Sequence, residues 1–408
     1  MKLYEDLKWR GLIKDTAGNL EEKMNSGHFT FYWGTDPTAD SLHLGHYSSL
    51  VTAKRLAKYG NKPILLVGGA TGLIGDPRPS SEREIIKKDI LEKNLDGITK
   101  QVSNLFDGNV LIVNNNDWIS KLNITDFLRE VGKYINVNYM LDKDIINRRL
   151  STGITFAEFA YTLIQGYDFL YLYKEKNCVM QAAGSDQWGN ITTGLELIKK
   201  KLNKEAYAFT MPLILDANGK KFGKSEGNAL WLDEKKTSSY ELYQYLINTD
   251  DSKVIEYLKV FTFLTKEQIE SLEISNRENP HLRKAHKALA KEIITDLHGE
   301  ESYKHALEIS EYLFNGDLEK LTLDELMIAL KNIDSFKLED LNIVDVLVNN
   351  KIAKSKREAR EFIKGNSISI NGKKVTDENF IITKEIALYD KVVVIRRGKK
   401  KYYMGIYE

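Results

Sequence analysis

Short apolar runs and amphipathic stretches alternate over the first 235 residues. Residues 3–14 carry a helical pattern, and Phe29-Thr30-Phe31-Tyr32-Trp33 is a strand-like run that stops at Gly34 and turns through Asp36-Pro37. A helix is predicted next, with Asp40 or Ser41 as its cap, Leu50, Val51 and Leu56 on its apolar face and Gly60 as its stop. Two continuous apolar runs, Pro63–Val67 and Val110–Val113, suit strands covered on both faces. Helical periodicity returns at 155–173, a strand pattern at 179–182, and an amphipathic helix with a basic end at 191–202. Strands that alternate with helices predict an α/β fold, a doubly wound, Rossmann-like parallel sheet over residues 1–235.

Beyond about Thr237 the strand signals fade. Helical segments at 238–248, 281–297 and 301–313 predict an all-helical domain over 236–338. Residues 341–408 then read as a small α+β domain. It has a helix pair at 343–350 and 356–364, a β-pattern at 367–370 leading into the Asn371-Gly372 turn, and another at 392–395.

Composition narrows the function classes. With 42% hydrophobic and 29% charged residues in 408, the chain has enough apolar content for a packed core, which excludes disordered and fibrous classes. The start lacks an apolar leader pattern and no window reaches the apolar length of a membrane helix, so a cytoplasmic enzyme without membrane association is expected. The lone Cys178 reads as a buried small hydrophobe. The net charge is +1, yet residues 341–408 hold 15 Lys/Arg against 8 Asp/Glu. That basic tail points to a polyanionic partner.

The first chemical signal is His43-Leu44-Gly45-His46, placed where a strand passes into a helix. Two imidazoles three residues apart share a helix face, and a helix N-terminus offers unpaired N–H groups to phosphate. Gly45 lets a nucleotide approach the backbone. Taken alone, this pattern also fits a weak metal site. The second signal is Lys220-Lys221-Phe222-Gly223-Lys224-Ser225, a basic loop suited to a triphosphate, or else a solvated basic turn. Together the two motifs resemble the HIGH and KMSKS signatures of class I aminoacyl-tRNA synthetases.

Further runs resemble the tyrosine members of that family, of bacterial type. They are Tyr32–His43, Gly69–Pro77, the helical set Tyr161, Gln165 and Asp168, and Gly184-Ser185-Asp186-Gln187-Trp188-Gly189-Asn190. The resemblance implies a tyrosine–tRNA ligase using ATP and Mg²⁺, with no protein-bound structural metal, acting on tRNA(Tyr) as a homodimer. Tyr32 and Asp168 would bracket the phenolic hydroxyl, and Asp76, Tyr161 and Gln165 would hold the α-ammonium, with Gln181 nearby. The catalytic set would be Thr38, His43, His46, Lys221 and Lys224, with Thr38 and His43 at the terminal phosphates and both lysines on the leaving pyrophosphate. Asp186 would take the ribose hydroxyls, Gln187 the carboxylate and α-phosphate region, and Gly34, His46 and Ser49 the ribose surface. Asp36 and Ser225 complete the expected ATP set.

Two positions depart from the family pattern. Trp33 stands where a small residue is usual, and the loop after Asp76 reads Arg78-Pro79-Ser80-Ser81-Glu82-Arg83 without the common lysine, leaving Arg78 or Arg83 as pyrophosphate contacts or a solvated loop. The tail, Ile352–Gly365 followed by Ile370-Asn371-Gly372, resembles the S-four-like RNA-binding domain. Lys356, Arg357, Arg360 and Lys364 share one helix face, as RNA phosphates require. The apolar segment from Phe127-Leu128 to Tyr139-Met140 reads either as a dimer contact or as a core helix. Among rivals, a small nucleotidyltransferase would be shorter. A non-catalytic RNA-binding relative should have lost His46, Lys224 or Asp186, and against the nearest enzymatic rival, the tryptophan enzyme, Tyr32 with Asp168 and the Gly184–Asn190 run favour tyrosine.

Overall fold

The computed structural model describes the chain except residues 78–85, 152, 226, 227, 332, 399, 400 and 408, and it describes Lys224 and Ser225 by backbone alone. The chain forms two compact units, Met1–Thr237 with Ile247–Leu297, and Ser238–Leu246 with His298–Glu408. The helical stretch of 236–338 is thereby divided between them. Among the described residues no helix is long and apolar enough to cross a membrane.

The first unit is built on a sheet of β1 (Thr16–Ala17), β2 (Thr30–Thr35), β3 (Lys62–Val67), β4 (Leu111–Asn114), β5 (Cys178–Gly184) and β6 (Tyr207–Met211), in the order β1-β6-β5-β2-β3-β4. The five longer strands run parallel, and β1 lies antiparallel to β6 at the edge. Strand order therefore reverses between β2 and β5. In a doubly wound sheet the crevice beyond the carboxyl ends of two such strands is where ligands bind. Gly34, the penultimate residue of its strand, and Gly184, the last of its own, stand there.

Strand alternation sends neighbouring side chains of β2 to opposite faces. Tyr32 packs its ring 5.3 Å from Phe169, whereas Trp33 stacks 5.4 Å from Phe106. The indole of Trp33 is thus part of the core, 5% exposed. Helix Phe156–Lys176 begins with a Thr155–Glu158 capping box and ends at Asn177 in the left-handed region, so its boundaries follow from its own sequence.

Several local expectations change. The predicted helix after Asp40-Ser41 opens as a 3-10 turn, Leu44–His46, before the helix Tyr47–Lys58. Its cap is neither Asp40, which pairs with Lys236 at 2.5 Å, nor Ser41, which donates to the Leu42 carbonyl at 2.8 Å. The His43 ring takes that role, its Nδ1 accepting the Gly45 N–H at 3.1 Å. β4 is an edge strand rather than one covered on both faces, with Leu111 47% exposed. The first helix spans only Leu3–Trp9, since Gly11 adopts φ +73°.

The second unit contains a five-stranded sheet ordered Lys373–Lys374, Ile368–Ile370, Val392–Arg397, Lys401–Ile406, Asp334–Lys337, whose last pair is parallel. Asn371 and Gly372 have φ of +48° and +83°, the two positive values a type I′ hairpin turn needs. Helices Ile343–Asn349 and Lys356–Lys364 form the expected pair. This module shares a core with the preceding helices, because Val392, Val394 and Met404 cluster with Ile309, Leu313, Leu318 and Leu326.

Candidate active site

At the switch point of the first unit lies a cavity of about 680 Å³. Of the residues expected for tyrosine, Tyr32, Asp76, Tyr161, Gln165, Asp168 and Gln181 line it. Of those expected for ATP and catalysis, Gly34, Asp36, Thr38, His43, His46, Ser49, Asp186, Gln187 and Lys221 line it too. The side chains of Lys224 and Ser225, like Arg78 and Arg83, lie outside the described residues.

One end of the cavity is a closed polar network. Asp168 is 1% exposed, and its two carboxylate oxygens accept the Trp118 indole N–H at 2.8 Å and the Asn115 amide at 3.0 Å. Burial pushes its pKa up to about 7, although both hydrogen bonds oppose the shift. Asn115 also donates to Thr71 Oγ1 at 3.0 Å, Thr71 donates to Asp36 at 2.8 Å, and the Tyr161 hydroxyl donates to the other oxygen of Asp36 at 2.9 Å. Asp36, expected on the ATP side, therefore has its carboxylate engaged from the Tyr161 side. Burial, reinforced by Asp168, raises the Tyr32 phenol well above its usual pKa, so it stays a neutral donor.

In this cavity two buried polar atoms have no hydrogen-bond partner among the described residues, Tyr32 Oη and Gln165 Oε1. Buried polar groups are nearly always satisfied, so each marks an unmet bond that a ligand would complete. Asp76 accepts from Gln187 Nε2 at 2.9 Å and from Asn190 Nδ2 at 3.1 Å, which ties the Gly69–Pro77 run to the Gly184–Asn190 run.

The other end is built largely from backbone and small residues. The rings of His43 and His46 stack with centroids 3.9 Å apart, and His46 Nδ1 accepts the His43 N–H at 3.3 Å. Burial, then the neighbouring His43, holds the His46 pKa down at about 3, so this imidazole is neutral. With Nδ1 used as an acceptor, Nε2 carries the proton and is a donor. A Cβ on Gly45 would stand 2.8 Å from His43 Cε1, so glycine is required by the folded-back ring as well as by any close nucleotide. The lysine loop docks on this turn. Gly223, at φ +86°, lies so close that a Cβ would be 2.7 Å from the Gly45 nitrogen, and Leu44 N–H donates to the Leu230 carbonyl at 2.7 Å.

Sequence reasoning missed Asn115, Trp118, Thr71 and Asn190 as parts of this network. Asn115 follows directly on β4, at the carboxyl end of a parallel strand, and that position was the available signal.

A doubly wound sheet carrying a paired-histidine turn and a docked lysine loop on one cavity is the constellation of a class I aminoacyl-tRNA synthetase. The model of class I tRNA synthetases for tryptophan and tyrosine matches residues 24–315, and that of the tyrosine–tRNA ligase SYY-like C-terminal domain matches 325–405. The C-terminally truncated mitochondrial tyrosyl-tRNA synthetase of Aspergillus nidulans is 31% identical, with a TM-score of 0.68 over 77% of this chain and 94% of that one. The corresponding Coccidioides posadasii protein is 29% identical, with a TM-score of 0.67 over 76% and 91%. A tryptophanyl-tRNA synthetase from Encephalitozoon cuniculi shares the fold alone, at 14% identity and a TM-score of 0.55 over 80% and 90%. The chain belongs to the class I tRNA synthetases, and within them to the tyrosine ligases.

Proposed function

We propose that the chain activates L-tyrosine with ATP and then esterifies it to the 3′ end of tRNA(Tyr). In the first step a tyrosine carboxylate oxygen attacks the α-phosphorus of ATP. The new O–P bond forms as the bond to the bridging oxygen breaks, and pyrophosphate leaves. The carboxylate is already anionic, so no general base is needed, and positioning with charge stabilisation carries the step. The observation behind this reading is that one cavity holds both a buried donor–acceptor pair, Tyr32 and Asp168, and the His43–His46 turn. Tyr32 would donate to the substrate hydroxyl and Asp168 accept from it, while Gln165, Tyr161 and Asp76 hold the ammonium, with Gln181 beside them. His46 Nε2–H, Thr38, His43 and Lys221 would meet ATP, with Gly34, Ser49, Asp186 and Gln187 along its ribose and α-phosphate. Lys224 and Ser225 are proposed for the same set on sequence alone. Mg²⁺ would neutralise the phosphate oxygens and be carried by them.

For RNA we propose Lys356, Arg357, Arg360 and Lys364. All four are exposed along one side of helix Lys356–Lys364, next to the face that buries Ala359 and Ile363. Three of them form local ion pairs, with Asp345, Glu361 and Glu378, which a stronger polyanion would have to displace. A homodimer is proposed through the segment around Phe127–Met140. It contributes Val131, Ile135 and Met140 to the core, yet leaves Leu128 53% and Val137 61% exposed. A cytoplasmic location is proposed with these roles. ATP–pyrophosphate exchange with each amino acid tests the assignment. Tyrosine alone should support it, and exchange driven by tryptophan or by no amino acid would refute it.

A further inference from the structure

We propose that Phe261 is a positioning residue that fixes the lysine loop against the paired-histidine turn, making helix Val254–Phe261 a frame for the leaving-group end of the cavity. The inference rests on the adenylate-forming reading above.

Neither signature is held only by its own neighbours. Tyr47, the residue after His46, stacks its ring on Phe261 at 5.9 Å and 16°. Phe261 in turn stacks on Phe222 of the lysine loop at 4.5 Å and 22°. A single side chain thus touches both elements that approach ATP. Tyr257, one turn earlier, adds a tilted ring against Phe222 at 4.5 Å and donates its hydroxyl to the Leu215 carbonyl at 3.0 Å. Residues 214–222 form a hairpin in which Phe222 N–H donates to the Ile214 carbonyl at 3.0 Å and Asp216 N–H to the Lys220 carbonyl at 2.7 Å. The helix therefore grips both arms of that hairpin, one through a hydrogen bond and the other through an aromatic ring. Lys221 lies between these anchors, exposed toward the cavity.

The frame is itself fixed at its end. Arg10, which is buried and paired with Asp6, donates to the carbonyls of Lys259 at 2.9 Å, Thr262 at 3.2 Å and Leu264 at 2.8 Å. Lys259 is in the last turn of helix Val254–Phe261 and Thr262 is its C-cap, so Arg10 reaches carbonyls that a helix C-terminus leaves unpaired, and a cation is favourably placed against the helix dipole there. Arg55, on the helix that follows the histidine turn, donates to the Thr262 carbonyl as well. The position of Phe261 is therefore set from the same helix whose start presents His46.

The Lys221 ammonium, carried on an arm of this hairpin, loses much of its value if the hairpin samples other positions. Fixing Phe222 in an aromatic slot supplies the geometry that electrostatic stabilisation of leaving pyrophosphate requires. Phe261→Leu keeps most of the apolar volume while removing both ring stacks, and Phe222→Leu removes the stack on Phe261 and the tilted contact with Tyr257 from the loop side. Each should lower the rate of tyrosine-dependent pyrophosphate exchange by roughly three- to tenfold, the value of one or two aromatic pairs. Equilibrium tyrosine binding should stay unchanged. Lys221→Ala should then cost several-fold less in the Phe261→Leu background than in the parent, because a misplaced ammonium has less to lose. A Lys221→Ala penalty equal in both backgrounds, an unchanged exchange rate, or a matching loss of tyrosine affinity would each overturn the proposal. An unmodified chain inactive in exchange would instead refute the adenylate-forming reading.

Discussion

The two ends of the cavity solve opposite problems. Where the amino acid is proposed to sit, a buried network holds Asp168 through Trp118 and Asn115 and links it through Thr71 to Asp36 and Tyr161, with Tyr32 Oη and Gln165 Oε1 left without partners among the described residues. Where ATP is proposed to sit, the groups are a backbone turn, a neutral His46 and a lysine on a hairpin. Preformed, desolvated partners punish a substrate that cannot complete them, which gives selectivity. Groups whose partners arrive with ATP act on charge that develops later, which gives rate. The first end should thus govern tyrosine affinity and discrimination, and the second the chemical step.

The largest expected effect is at the floor. Asp168→Asn removes a charged acceptor and points an amide N–H₂ at either Trp118 or Asn115. Tyrosine-dependent kcat/KM should fall by roughly 10²- to 10³-fold, from one missing charged hydrogen bond and one stranded donor. The same variant should gain in stability at high pH. The Asp168 pKa is raised from 3.8 to about 7, so the folded chain keeps a proton that the unfolded chain has lost between those values. Stability accordingly falls as pH rises through that window, by up to about 4 kcal/mol for this group. Unfolding midpoints at pH 5 and pH 8 should differ less for Asp168→Asn than for the parent. Equal differences would show that the buried carboxyl is not the source.

At the other end, His46→Ala should slow adenylate formation on the order of 10²-fold, as removing one donor to developing charge does, with tyrosine binding nearly unchanged. Smaller again, Tyr32→Phe should reduce the preference for tyrosine over phenylalanine by roughly tenfold, the value of one buried hydrogen bond. Comparing kcat/KM for the two amino acids checks this, and an unchanged ratio would remove Tyr32 from the hydroxyl site. The smallest effect on exchange belongs to the second unit. Alanine at Lys356, Arg357, Arg360 and Lys364 together should leave exchange intact, while the log–log salt slope of tRNA binding should drop by about 0.7–0.9 for each phosphate left unneutralised. Substitution is a cleaner test than deleting residues 341–408. Deletion would strip Val392, Val394 and Met404 from the core they share with Ile309 and Leu313, and would leave strand Asp334–Lys337 without its partner.

Sequence carried the fold where local signals were redundant. The capping box at Thr155–Glu158, the Asn371-Gly372 turn and the apolar run at β3 each state their structure within a few residues. It also carried the individual polar residues of the cavity, because these sit in compact motifs. It did not carry their pairing. The bonds from Asn115 and Trp118 to Asp168 span 53 and 50 residues, and nothing in NNNDW announces the partner. The cap on the histidine turn was missed for a related reason. Asp40 and Ser41 are better capping residues by type, but Asp40 is drawn to Lys236, and an imidazole nitrogen takes the Gly45 N–H instead. The three-part division of the chain followed changes in local pattern, whereas compactness depends on which helices share a core. Helices Val254–Phe261 and Lys284–His298 lie mainly in the first unit.

The division of labour within the cavity is tested most directly by measuring equilibrium tyrosine binding and single-turnover adenylate formation side by side for Asp168→Asn and His46→Ala. We expect a large loss of tyrosine affinity for Asp168→Asn, and for His46→Ala a near-normal affinity with a rate reduced on the order of 10²-fold. Tyrosine affinity abolished in His46→Ala with a normal rate, or retained in Asp168→Asn, would contradict that division.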